Sequence, residues 1–89
     1  MSKTLIKGAE AACPTTTGAA SNFDSATVVR LVNTDTDPHL VTVVETQSGT
    51  VVGSFTLPAG SVEFLEKTAS YFIFAANAAV KGAKAGFTG

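Results

Sequence analysis

From Ala26 onward, apolar and polar positions alternate in short runs broken by turn residues, the period-2 signature of half-buried strands. Residues 27–33 are rich in β-branched side chains and end in Thr34-Asp35-Thr36-Asp37-Pro38, where Pro38 drives Asp37 out of the helical region and into a turn. Residues 39–45 predict a second strand. Gln47-Ser48-Gly49-Thr50 follows as a tight hairpin, with Gly49 free to take positive φ. Residues 50–57 form the third strand, with Val51, Gly53, Phe55 and Leu57 on one apolar face. Leu57-Pro58-Ala59-Gly60 reads as a type I turn.

Residues 61–67 predict a fourth strand, with Val62 and Phe64 inward and Glu63 outward. Residues 71–75 are apolar on both faces, which predicts a central strand covered on each side. Residues 75–79 fit one helical turn before a last strand over 80–87. There Ala83, Ala85 and Phe87 alternate with Lys84 and Gly86, and the small residues admit another backbone at close range. About six short strands at this spacing predict an all-β fold, a small antiparallel β-sandwich or barrel.

Residues 1–25 differ in composition. Gly8 to Ser25 reads GAEAACPTTTGAASNFDS, too poor in apolar bulk to fold alone. The expected organisation is an extended N-terminal arm over 1–25 and a β-sandwich domain with its tail over 26–89. The arm lies along its own domain or is held by neighbouring chains. Phe23, its one aromatic, either pins it to that domain or fills a pocket on a neighbour.

Composition sharpens the expectation of assembly. With 89 residues the chain holds one domain and a marginal core, since a domain of about 60 residues buries only about 60% of its unfolded surface. Charged residues are 15% of the chain, against about 25% in an ordinary soluble domain, and such a surface suits a protein covered by neighbours. The formal net charge is −1 and the six Lys and Arg are scattered, which argues against nucleic acid as a partner. No apolar run approaches the ~20 residues of a membrane span, and residues 1–7 do not read as a secretory signal. A single cysteine, Cys13, cannot form an internal disulfide and is compatible with a reducing compartment.

Candidate chemistry is sparse. Cys13 and His39 are the only residues of their kinds, in different segments, and nothing local builds a thiolate–imidazole pair; Cys13 reads as an inert small residue and His39 as an exposed, solvated ring. Asn33, Asp35 and Asp37 lack the glycine and distal glutamate of a calcium loop and read as a polar turn. Glu63 and Glu66 fall on opposite faces of a strand, so they do not form an acid–base pair. The expectation is a protein that is not an enzyme and uses no cofactor or metal.

The segments FDSATVVRLVNTD, HLVTVVE, GSFTLPAGSVEFLEK and IFAANAAVKGAKAGFTG, with the start MSKTLIKGAEA, resemble short virion structural proteins of marine tailed phages, especially cyanophage-like myoviruses. The resemblance covers most of the chain but is one of sequence style, and it brings no functional residues with it. It implies a multi-copy particle component, made in the host cytoplasm and placed on capsid, neck or tail as a decoration, cement or accessory protein. Its partners would be other virion proteins and copies of itself, with no nucleic acid and no membrane, and Phe23, Tyr71 and Phe87 are the candidate assembly residues. The alternative is a carbohydrate- or host-surface-binding β-module, for which Tyr71 and Phe72 would have to present their rings. A small inhibitor or regulatory domain of a cellular enzyme is a third class.

Overall fold

A computed structural model of the chain describes residues 3–88, and the side chains of residues 4–86. It is an all-β sandwich. Eight strands, β1 (Lys3–Ile6), β2 (Ala11–Ala12), β3 (Val28–Asn33), β4 (His39–Val44), β5 (Val51–Leu57), β6 (Val62–Glu66), β7 (Phe72–Ala75) and β8 (Val80–Thr88), form two antiparallel sheets. The five-stranded sheet runs β1-β8-β3-β6, with β2 also on β8, and the three-stranded sheet runs β5-β4-β7. The chain changes sheet between β3 and β4, β5 and β6, β6 and β7, and β7 and β8, so each half of the core depends on the other.

The core lies between the sheets. Val29, Leu31 and Val80 come from the larger sheet, and Val41, Val43, Leu57, Ile73 and Ala75 from the smaller, joined by Cys13 and Ala26. Phe23, Phe55, Leu65 and Tyr71 pack around this cluster. One buried polar residue staples the turns at one end. Asn33, wholly buried, donates from Nδ2 to the carbonyls of Asp37 and Leu57, both at 2.9 Å, and its Oδ1 accepts from the Asp35 amide at 3.0 Å.

The strand positions follow the hydrophobic pattern closely, while several face and turn assignments differ. In β6 the paired register sets Leu65 opposite Val29 and Phe64 opposite Arg30. Directly opposed residues share a face, so Leu65 points to the core, while Val62 and Phe64 lie on the outer side. Glu63, paired with Leu31, stands in the core-side row at the exposed rim. The register with β3, not the local alternation, decides the face. In β5 the apolar face breaks at a bulge: Gly53 pairs Val43 but Val51 pairs Val44, which moves Val51 to the outer side and leaves it 58% exposed.

The strand covered on both faces is β4, buried from Val41 to Val44, rather than β7. Residues 76–79 form an Asx-type turn instead of a helical one, because Asn77 Oδ1 takes the Ala79 amide at 2.8 Å and competes with helix formation. The turn after β5 closes one residue later than expected, from the Ser61 amide to Pro58 O at 3.1 Å, with Gly60 third at φ 70°. In the β4–β5 hairpin Ser48 takes the positive φ, 58°, and Gly49 is needed because a Cβ there would run into Thr46 Oγ1.

Candidate functional site

Residues 11–26 lace one side of the sandwich shut. The Cys13 amide donates to Val80 O in the larger sheet at 2.8 Å, and Pro14 O accepts from the Ala75 amide in the smaller sheet at 2.9 Å. Ser21 then bridges to Ile73 in both directions, at 3.0 and 2.7 Å, and so occupies the outer edge of β7. The short 3₁₀ turn Thr17–Ala19 sits over the β4–β5 hairpin, where Thr17 O accepts from the Ser48 amide at 3.1 Å. Small residues make this lacing possible. Cys13 and Ala20 enter the protein interior with only 2% exposure each.

The opposite side is open. Between β5 and β6 lies a cleft of about 390 Å³ lined by Val43, Val52, Phe55, Leu65, Lys67 and Tyr71 among others. Lys67 closes its floor. Its Nζ donates to Ala26 O at 2.6 Å, with Thr68 O and Ala69 O at 3.3 and 3.4 Å, and burial pushes the ammonium below its usual value. With three carbonyl partners it is a satisfied structural lysine.

Three sheet edges have neither a further strand nor a bridge among the described residues: the one formed by β1 with the short β2 beside it on β8, that of β5 and that of β6. Each exposes large apolar side chains, with Leu5 and Ile6 on β1, Val51 and Val52 on β5, and Val62 on β6. Free edges of this kind are templates for strand pairing with another chain, and natural monomers guard them with charge, proline or bulges. Here β5 carries no charge, β6 carries Glu63 and Glu66, and β1 is bounded by Lys3 and Lys7.

No protein-family model, curated protein or solved structure matches this chain.

The candidate residues fall in separate places. Phe23 packs against the core of its own domain, its ring over β8. Tyr71 is half-buried, packed on the core and lining the cleft. Phe87 sits in β8 by its backbone, but its side chain lies outside the described residues. The structure therefore does not bring Phe23 and Tyr71 to one surface.

His39 departs from the expected exposed ring. It is half-buried, and its Nε2 meets Asp35 Oδ2 at 2.7 Å across the β3–β4 turn. That contact, together with the Thr36 amide, holds the Asp35 carboxyl below its usual range. Burial pushes the Cys13 thiol up to about 12, which removes the thiolate a nucleophile requires. Among the described residues, no three His, Cys, Asp or Glu side chains come together as a metal site. The sequence points to strand edges as a means of assembly but not to which strands form them, because an edge is defined by which strand has no neighbour, and only topology shows that.

Proposed function

We propose that this chain is a structural component of a tailed-phage virion that works through multi-copy assembly, as a decoration, cement, neck or tail accessory protein. One observation carries the reading: in a chain with 15% charged residues, three sheet edges carry no further strand among the described residues, and each displays large apolar side chains. In a free monomer such edges are an aggregation hazard; in an array they are covered by neighbours. The sequence resemblance to marine tailed-phage virion proteins supports the same class and supplies the particle.

The test is protein mass spectrometry of purified particles of the encoding phage, with copy number referenced to the major capsid protein. Many copies per particle are expected. Particles that lack the chain while infected cells contain it would overturn the reading.

A further inference from the structure

The sheet edges differ in what they admit. β6 carries Glu63 and Glu66, and β1 starts at Lys3 and runs straight into Lys7, whereas β5 holds neither a charge nor a proline from Val51 to Leu57. Charge and proline are the usual guards that stop an edge from pairing with its own kind. The irregularity in β5, its bulge beside Val44, lies at the start of the strand, and the register from Gly53 to Leu57 is unbroken. Ser54 and Thr56 are exposed there, and Phe55 is half-buried where it lines the cleft.

The hydrogen bonds of the neighbouring strands fix which backbone groups of β5 turn outward. The Ala76 amide donates to Leu40 O at 2.9 Å, so the backbone of Leu40 faces β7. By the alternation of an antiparallel ladder, His39, Val41 and Val43 then face β5, and their partners Leu57, Phe55 and Gly53 bond inward. The bond from the Ala75 amide to Pro14 O agrees, since Ala75 pairs with Val41 and turns its backbone away from it. The N–H and C=O groups of Ser54 and Thr56 therefore point away from β4, where no further strand lies among the described residues.

We infer that this edge takes a second copy of the chain, β5 against β5 in antiparallel order about a twofold axis at Phe55. Its charge singles out that occupant, because an uncharged strand opposes no like charges when it meets itself. In this register Ser54 of each copy lies opposite Thr56 of the other, and their outward groups exchange backbone hydrogen bonds at both pairs. The axis sets the Phe55 rings of the two copies against each other, an aromatic cross-strand pair. Gly53, where a Cβ would meet nothing within 4 Å, comes opposite Leu57 and leaves it room. Directly opposed residues share a face, so both cores lie on the same side of one sheet that runs β7-β4-β5-β5-β4-β7 through the pair. The contact is isologous and closes on itself, which leaves the edges of the larger sheets out of its hydrogen bonding. The inference rests on the multi-copy reading above and specifies a surface that would serve it.

The test uses the full chain and two double substitutions at the exposed outer positions, S54K/T56K and S54K/T56E. Association is followed by sedimentation velocity over a concentration series, with circular dichroism to confirm the fold of each variant. Wild type is expected to dimerise with rising concentration and to remain dimeric at high salt, since no ion pair holds the contact. S54K/T56K sets like charges opposite each other at both outward pairs and should need about tenfold more protein to dimerise. S54K/T56E sets opposite charges at the same pairs and should dimerise at least as well as wild type. Amide hydrogen exchange on wild type gives a second measurement that needs no variant to fold: the Ser54 and Thr56 amides should gain protection as concentration rises. Unaltered dimerisation of S54K/T56K, equal losses in the two variants, or Ser54 and Thr56 amides indifferent to concentration would each overturn the β5–β5 pairing while leaving assembly itself standing. A wild-type chain that stays monomeric throughout would overturn it as well, and the particle mass spectrometry would then judge the wider reading separately.

Discussion

The ring of Phe23 lies over Gly82, so close that a Cβ at Gly82 would sit 2.8 Å from both its Cε1 and its Cζ. Real Cβ atoms do not approach that closely, so the glycine in β8 and the aromatic in the 11–26 segment are a matched pair. Phe23 reaches this place through an unusual backbone. It, Asp24 and Ser25 all take positive φ, at 52°, 58° and 57°, and the Phe23 amide is held by Ser21 Oγ at 3.0 Å. Three successive left-handed non-glycine residues are costly, and the ring's packing on the core offsets that cost.

Replacing Gly82 by alanine is therefore expected to push Phe23 off the sheet and cost about 1–3 kcal/mol, as overpacking does. Phe23→Ala should cost on the order of 3 kcal/mol by leaving a cavity. Because the two act on one contact, the double variant should cost clearly less than the sum. Urea denaturation of the four proteins checks this. Additive losses would show that the ring and the glycine are not coupled.

Lys67→Met tests the floor of the open cleft. Methionine keeps the apolar stem but removes the ammonium that donates to Ala26 O at 2.6 Å, and leaves that buried carbonyl without this partner. A loss of about 1–3 kcal/mol follows from the desolvation of an unsatisfied group. The readout is the urea midpoint at unchanged slope. A variant as stable as wild type would mean the carbonyl finds water once the ammonium is gone.

How much of this was legible from residues alone divides along physical lines. Strand positions were, because alternation and turn residues are local: His39–Val44 and Phe72–Ala75 fall within one residue of the expected runs. Faces were less so. The side of the sheet that Phe64 occupies is decided by the β3 register, and the side that Val51 occupies by a bulge one residue away. The 11–26 segment was hardest. Its alanines and threonines carry almost no hydrophobic signal, yet Cys13 and Ala20 reach the interior because small side chains let backbone bond directly to both sheets. Which strands stand at the sheet edges leaves no local trace at all.

The His39–Asp35 contact predicts an acid-side dependence of stability. In the folded chain the Asp35 carboxyl is held below its usual 3.8, first by His39 and then by the Thr36 amide. The unfolded chain thus takes up that proton at higher pH than the folded one. The contribution is present above the unfolded value and is lost as pH falls through the lower folded value. Asp35→Asn removes it. The stability gap between wild type and D35N is expected to narrow as pH drops below 3.8. A gap that stays constant through acid would assign the loss to packing and not to the carboxylate.

Cys13 supplies a probe of how the laced side opens. Its thiol is 2% exposed and pushed up to about 12, so an aromatic disulfide reagent meets neither access nor thiolate in the folded chain. Exposing it requires breaking the Cys13 amide bond to Val80 O on one sheet and, beside it, the bond from the Ala75 amide to Pro14 O on the other. Because the segment is tied to both sheets, releasing it separates them. Labelling is therefore expected to follow global unfolding, with a urea dependence equal to the full equilibrium slope. Rapid labelling in native buffer, or a rate nearly independent of low urea, would show that residues 11–26 peel away as a unit of their own while the two sheets stay together.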